Sequence, residues 1–119
     1  MPILNKEAYE VKRDGLIYDY YGLIDGKTLT VSLDGTTAGV LKRGQLIDFD
    51  ASTGTYKKHV SGGVANCIVE HDAEFAAGEK EIVVSVYTGG NFSANKVISD
   101  SEITVTDKEN LRSKNIILK

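Results

Sequence analysis

The chain has no tryptophan, one proline (Pro2), one cysteine (Cys67) and two histidines in 119 residues. Each scarcity excludes something. A single cysteine excludes an intramolecular disulfide, and the chain is expected to be made in a reducing compartment, the cytoplasm. One cysteine and two histidines fall short of the four ligands of a structural zinc site. Consecutive Lys/Arg residues never exceed two (Lys12-Arg13, Lys42-Arg43, Lys57-Lys58), and 17 acids against 14 bases leave a net charge of −3. A surface with that balance is a poor partner for nucleic acid, which needs clustered cations. No apolar run approaches the roughly 20 residues of a membrane-spanning helix. The opening MPILNKEAYE lacks the basic and apolar regions of a secretory signal. The expectation is a chain with no nucleic-acid and no membrane partner.

What remains is ordinary for a folded domain: 41% hydrophobic, 26% charged, with 12 glycines spread along the chain. A chain of this size buries roughly two-thirds of its unfolded surface, enough for one modest core. The pattern is of short β-prone runs punctuated by glycine. In Lys27 to Leu33, Leu29, Val31 and Leu33 alternate with Thr28, Thr30 and Ser32, a half-buried strand. Leu16 to Ile24, Tyr56 to Val60, Val64 to Val69, Ile103 to Thr106 and Asn115 to Leu118 are further strand candidates. Glu81 to Phe92 is the strongest. Ile82, Val84 and Val86 share one face and Val83, Ser85 and Tyr87 the other, which predicts an interior strand covered on both sides, ending in a glycine turn at Gly89-Gly90. Asp14-Gly15, Asp25-Gly26 and Asp34-Gly35 are turn signals, the last also a hairpin signal. Lys42-Arg43-Gly44 is expected to be a turn presenting two charges. Thr106-x-x-Glu109 matches a capping box and predicts one short helix near residues 107–114. The fold class that follows is mainly β, a sandwich or small barrel of many short strands with one short α-helix. Residues 1–14 form a separable N-terminal arm and 15–119 a single β-rich domain.

Catalytic chemistry finds no support in these residues. Cys67 and His71 would lie about 13 Å apart on one strand face, too far for a nucleophile–base pair. A buried thiol and a surface imidazole are the simpler reading. His59, beside Lys57-Lys58, is expected on a solvated face. Glu70, Asp72 and Glu74 make an acidic stripe without the spacing of a calcium loop. Thr88 to Asn91 lacks the Gly-Lys-Ser/Thr ending of a phosphate loop. The expectation is no enzyme, no metal and no cofactor. Tyr18, Tyr20 and Tyr21 are either rim-packed core residues or an interaction platform.

From Val40 onward five blocks occur in order: Leu41-Lys42-Arg43-Gly44-x-Leu46; Asp50 to Tyr56; Ala65, Ile68 and Asp72; Val84, Val86, Gly90 and Phe92; and Leu111, Arg112, Ile116 and Leu118. In this the chain resembles the lambda-type head decoration proteins of tailed bacteriophages over about two-thirds of its length. Asn91, Ser93 and Asn115 depart from the family pattern, and the first 39 residues match none of it. The resemblance implies a viral structural protein of the virion, made in the host bacterium. Such proteins form homotrimers on the outer surface of the expanded capsid at three-fold and quasi-three-fold positions. There they clamp the major capsid protein against DNA pressure. It also implies an N-terminal arm that orders on the capsid by adding a strand. By position and composition, Ile3, Leu4, Tyr9 and Val11 would be its anchors. Leu41, Lys42, Arg43, Gly44, Gly90, Phe92, Leu111, Arg112 and Ile116 would serve as structural motif residues. The alternative is a small β-barrel module binding a carbohydrate or peptide.

Overall fold

The computed structural model describes residues 14–19 and 24–119. Ile3, Leu4, Tyr9, Val11, Tyr20 and Tyr21 therefore lie outside the described residues. The architecture is mainly β with a closed five-stranded barrel and one short α-helix, as the composition and periodicity predict. The strands are β1 (Ile17–Asp19), β2 (Asp25–Ser32), β3 (Gly39–Leu41), β4 (Leu46–Asp50), β5 (Thr55–Lys58), β6 (Ala65–Val69), β7 (Ala73–Phe75), β8 (Glu81–Phe92) and β9 (Ile116–Leu118). The helix α1 spans Val105–Arg112.

The barrel closes in the order β8-β2-β5-β4-β6-β8. Its longest ladder runs antiparallel from Asp25↔Gly89 to Ser32↔Glu81. β2 meets β5 in parallel at Val31↔Tyr56, and β6 returns to β8 through Ile68↔Tyr87 and Val69↔Val86. Closure removes the free edges that an open sheet of these short strands would expose. Alternation on β2 is as expected: Leu29 and Val31 are buried while Thr28 and Thr30 face solvent. The core gathers Val31, Leu41, Leu46, Ile47, Ile68, Val69, Val86, Phe92, Leu111 and Ile116, all 0% exposed. Full burial of each such side chain contributes about 1.5–3 kcal/mol.

β8 departs from expectation in two ways. Its second face is not covered throughout: Val84 and Val86 are buried, but Val83 is 67% exposed. The strand also does not turn at Gly89-Gly90. It passes through them, leaves the β2 ladder, and enters a second pairing with β1 on one side and β9 on the other. Gly90 has φ +134, and a Cβ there would stand 3.3 Å from the Phe92 ring. The glycine is thus a hinge within a strand that serves two sheets. Asp25-Gly26 is likewise inside β2, at a shift of register opposite β8, rather than in a turn. Asp34-Gly35 does turn, with Gly35 at φ +78. However, β3 pairs with β7 and not with β2, so no hairpin forms.

The helix begins two residues earlier than the capping-box match predicts. Thr104 is the N-cap; its hydroxyl accepts from Asp107 N–H, and the Asp107 carboxylate accepts from Thr104 N–H. Val105 and Thr106 are therefore helical, and no strand forms over 103–106. Leu111, 0% exposed, is the helix's apolar anchor. Asn115 follows at φ +66, a left-handed conformation that asparagine tolerates, and delivers the chain into β9.

Candidate functional site

Two clusters of charge stand out, at different depths. The first is centred on His59, which is 0% exposed and not on a solvated face as its lysine neighbours suggest. Its Nδ1 lies 2.5 Å from Asp48 Oδ1 and its Nε2 3.0 Å from Asp107 Oδ2. Both acids are themselves buried, 6% and 5% exposed. Asp48 Oδ2 also accepts from Val60 N–H at 3.0 Å, and Asp107 Oδ2 from Thr104 N–H at 2.9 Å. Each ring nitrogen thus faces a carboxylate oxygen, with the donor and acceptor roles set by the tautomer. Asp48 belongs to β4 and Asp107 to the first turn of α1, so the imidazole ties barrel to helix. Space for Asp48 comes from Gly63, where any Cβ would overlap the Asp48 carboxylate.

The arrangement has the outline of an Asp–His pair, but its third member is a second carboxylate rather than a nucleophile. With the ring sealed from solvent, the triad has no substrate proton within reach. Nor do its atoms converge on a point that a metal could occupy, because the two ring nitrogens face opposite partners. Among the described residues no group of three or more His, Cys, Asp and Glu side chains could hold a metal ion.

The second cluster is centred on Arg43. The turn at Lys42-Arg43-Gly44 forms as expected, with Gly44 at φ +98 and its Cβ position 2.9 Å from Lys96 O. It presents one charge, not two: Lys42 is exposed, but the Arg43 side chain folds back and is 10% exposed. Its Nε donates to Asp14 Oδ2 at 2.7 Å, and its Nη1 to Tyr87 Oη at 2.6 Å and Glu70 O at 3.0 Å. The guanidinium also lies 5.5 Å from the Tyr87 ring centroid. Arg43 N–H donates to Asp72 Oδ1 at 2.7 Å. The hydrogen bond from Arg43 holds the Asp14 carboxyl below the usual carboxylate range. Around this node lies an open cleft lined by Asp14, Lys42, Arg43, His71, Asp72 and Ile98.

The remaining candidates separate. Cys67 is buried, and burial pushes its thiol up to about 12. The His71 side chain is 53% exposed and lies 3.5 Å from Glu70 Oε2, so the two are not a nucleophile pair. Glu70, Asp72 and Glu74 do not act together: Asp72 holds the Arg43 turn, while Glu74 is exposed on β7. Tyr18 is 57% exposed, with Lys119 Nζ 5.5 Å from its ring centroid. Of the motif residues, Leu41, Phe92, Leu111 and Ile116 are in the core, whereas Arg112 is exposed and lies 3.4 Å from Glu109. Sequence reasoning missed the His59 triad entirely. No known family model matches the chain, and neither does any curated protein.

Proposed function

We propose that this chain is a structural capsid decoration protein. It acts as a homotrimer on the outside of an expanded bacteriophage head, at three-fold and quasi-three-fold positions, and braces the major capsid protein against internal DNA pressure. The observation that carries the reading is the ordered run of five sequence blocks from Leu41 to Leu118. In support, these blocks supply residues that the local geometry demands: Gly44 and Gly90 at positive φ, and Leu41, Phe92, Leu111 and Ile116 with no exposed surface. Five short blocks that recur at such positions describe a scaffold, and a scaffold suits a protein whose work is mechanical.

The physics is compatible. A trimer covers apolar surface that a small core leaves out, and Val60, Val64, Val83 and Val105 are all large and exposed. Three weak capsid contacts per trimer then combine through avidity. The reading calls for no cofactor and no catalytic residue. Its test is native mass determination followed by co-sedimentation with expanded capsids. A species about three times 12.9 kDa that pellets with capsids is the expected result. A stable monomer that stays in the supernatant overturns it.

A further inference from the structure

We infer that Arg43 and Asp14 form a built clamp that fixes the chain where it enters the barrel at Asp14. The inference stands apart from the capsid reading, because it rests on contacts within one chain. Arg43 is held in place without Asp14: Tyr87 Oη and Glu70 O accept from its Nη1, and Asp72 accepts from its backbone N–H. A nearly buried guanidinium is therefore oriented in advance, with its Nε and Nη2 edge turned toward Asp14. Among the described residues, Asp14 is the only carboxylate its side chain reaches.

Asp14 meets it with both oxygens. Oδ2 takes Nε at 2.7 Å and Oδ1 lies 3.4 Å from Nη2, while Oδ1 also accepts from Leu16 N–H at 3.2 Å. This two-toothed geometry fixes orientation as well as distance. Just beyond it, Gly15 turns at φ +86 and Leu16, 2% exposed, packs toward the Gly44 turn. Leu16 O then accepts from Ser93 N–H at 2.7 Å. The turn itself does not need the guanidinium, since Gly44 already supplies its backbone conformation. The side chain at position 43 is spent on the chain arriving at Asp14, at the rim of the cleft lined by Lys42, His71, Asp72 and Ile98. Arg43 is thus a positioning residue for the root of the N-terminal segment.

Limited trypsin digestion of the full chain tests this directly, because Lys12-Arg13 abuts Asp14. In Arg43→Gln the substrate bond is unchanged but the clamp is gone. Cleavage after Arg13 should accelerate about tenfold, as expected when local opening no longer breaks an ion pair. Cleavage after Lys57 and Lys58, in the barrel, should accelerate less than cleavage after Arg13. Unchanged cleavage after Arg13 overturns the inference, and so does equal acceleration at all three sites, which marks a loss shared by the whole fold. Asp14→Asn with amide exchange provides the second reading. The asparagine keeps one acceptor for Leu16 N–H and loses the charge and the second acceptor oxygen, the one that takes Arg43 Nε–H. Exchange at Leu16 should quicken severalfold, up to about fivefold, and more than at Val31 and Val86; equal exchange in the two proteins overturns the clamp.

Discussion

The two clusters use related contacts, a nitrogen-bearing side chain held by aspartate, at different depths. His59 is sealed between Asp48 and Asp107, with none of its surface exposed. At the other cluster the Arg43 side chain is 10% exposed, and its partner Asp14 is 49% exposed. In the first, water cannot replace a lost partner, so the network is decisive for the fold. In the second, solvent screens one side, and the pair governs only the local path of the chain. Depth, not the count of bonds, separates the two roles.

The largest break should come from His59→Ala. It leaves two buried carboxylates without their shared donor and severs barrel from helix. A loss of about 3–5 kcal/mol is expected by urea unfolding. Gly63→Ala attacks the same triad from outside, since the new methyl overlaps the Asp48 carboxylate. About 1–3 kcal/mol is expected for that overpacking, read as a lowered urea midpoint with unchanged slope.

Arg43→Gln should sit below both, at about 1–2 kcal/mol, because Tyr87 Oη and Glu70 O lose a donor near the surface. Cys67 sharpens this contrast. Its thiol is buried and pushed up to about 12, so the native protein should resist iodoacetamide at pH 8. Labelling should quicken most in His59→Ala, where the barrel opens far more often, and much less in Arg43→Gln. Equal labelling of the two variants would erase the distinction between global and local roles.

Asp14→Asn should have the smallest effect, under about 1 kcal/mol for a half-exposed pair. It also carries a pH signature. The folded-state value of Asp14 is lowered by Arg43, so the contribution is complete above the ordinary carboxylate value and fades as pH falls through the lowered one. Wild type and Asp14→Asn should therefore differ at neutral pH and converge in strong acid, measured by urea midpoints across that range.

The barrel was legible because its signals are local. Alternation of Leu29 and Val31 with threonines marks β2, and Gly35 and Gly44 mark turns that do form. The His59 triad was not legible, because nothing near it in sequence announces burial. Its neighbours are Lys57, Lys58, Ser61 and Val60, itself 59% exposed, and its partners lie 11 and 48 residues away. The helix start was misplaced by two residues for a related reason. Thr104-x-x-Asp107 and Thr106-x-x-Glu109 are overlapping Thr-x-x-acid patterns. The first prevails where Asp107 can both cap the helix and meet His59, a tertiary contact that no local pattern contains. Val83 shows the converse: a valine on an apolar strand still faces solvent when the barrel offers that face no cover.

The most direct measurement is urea unfolding of His59→Ala and Asp14→Asn side by side at neutral pH, followed by far-ultraviolet circular dichroism. The buried bridge predicts that His59→Ala loses at least about 2 kcal/mol more than Asp14→Asn. Equal losses would contradict it, and would mean that the sealed triad holds barrel and helix together no more firmly than an ion pair at the rim.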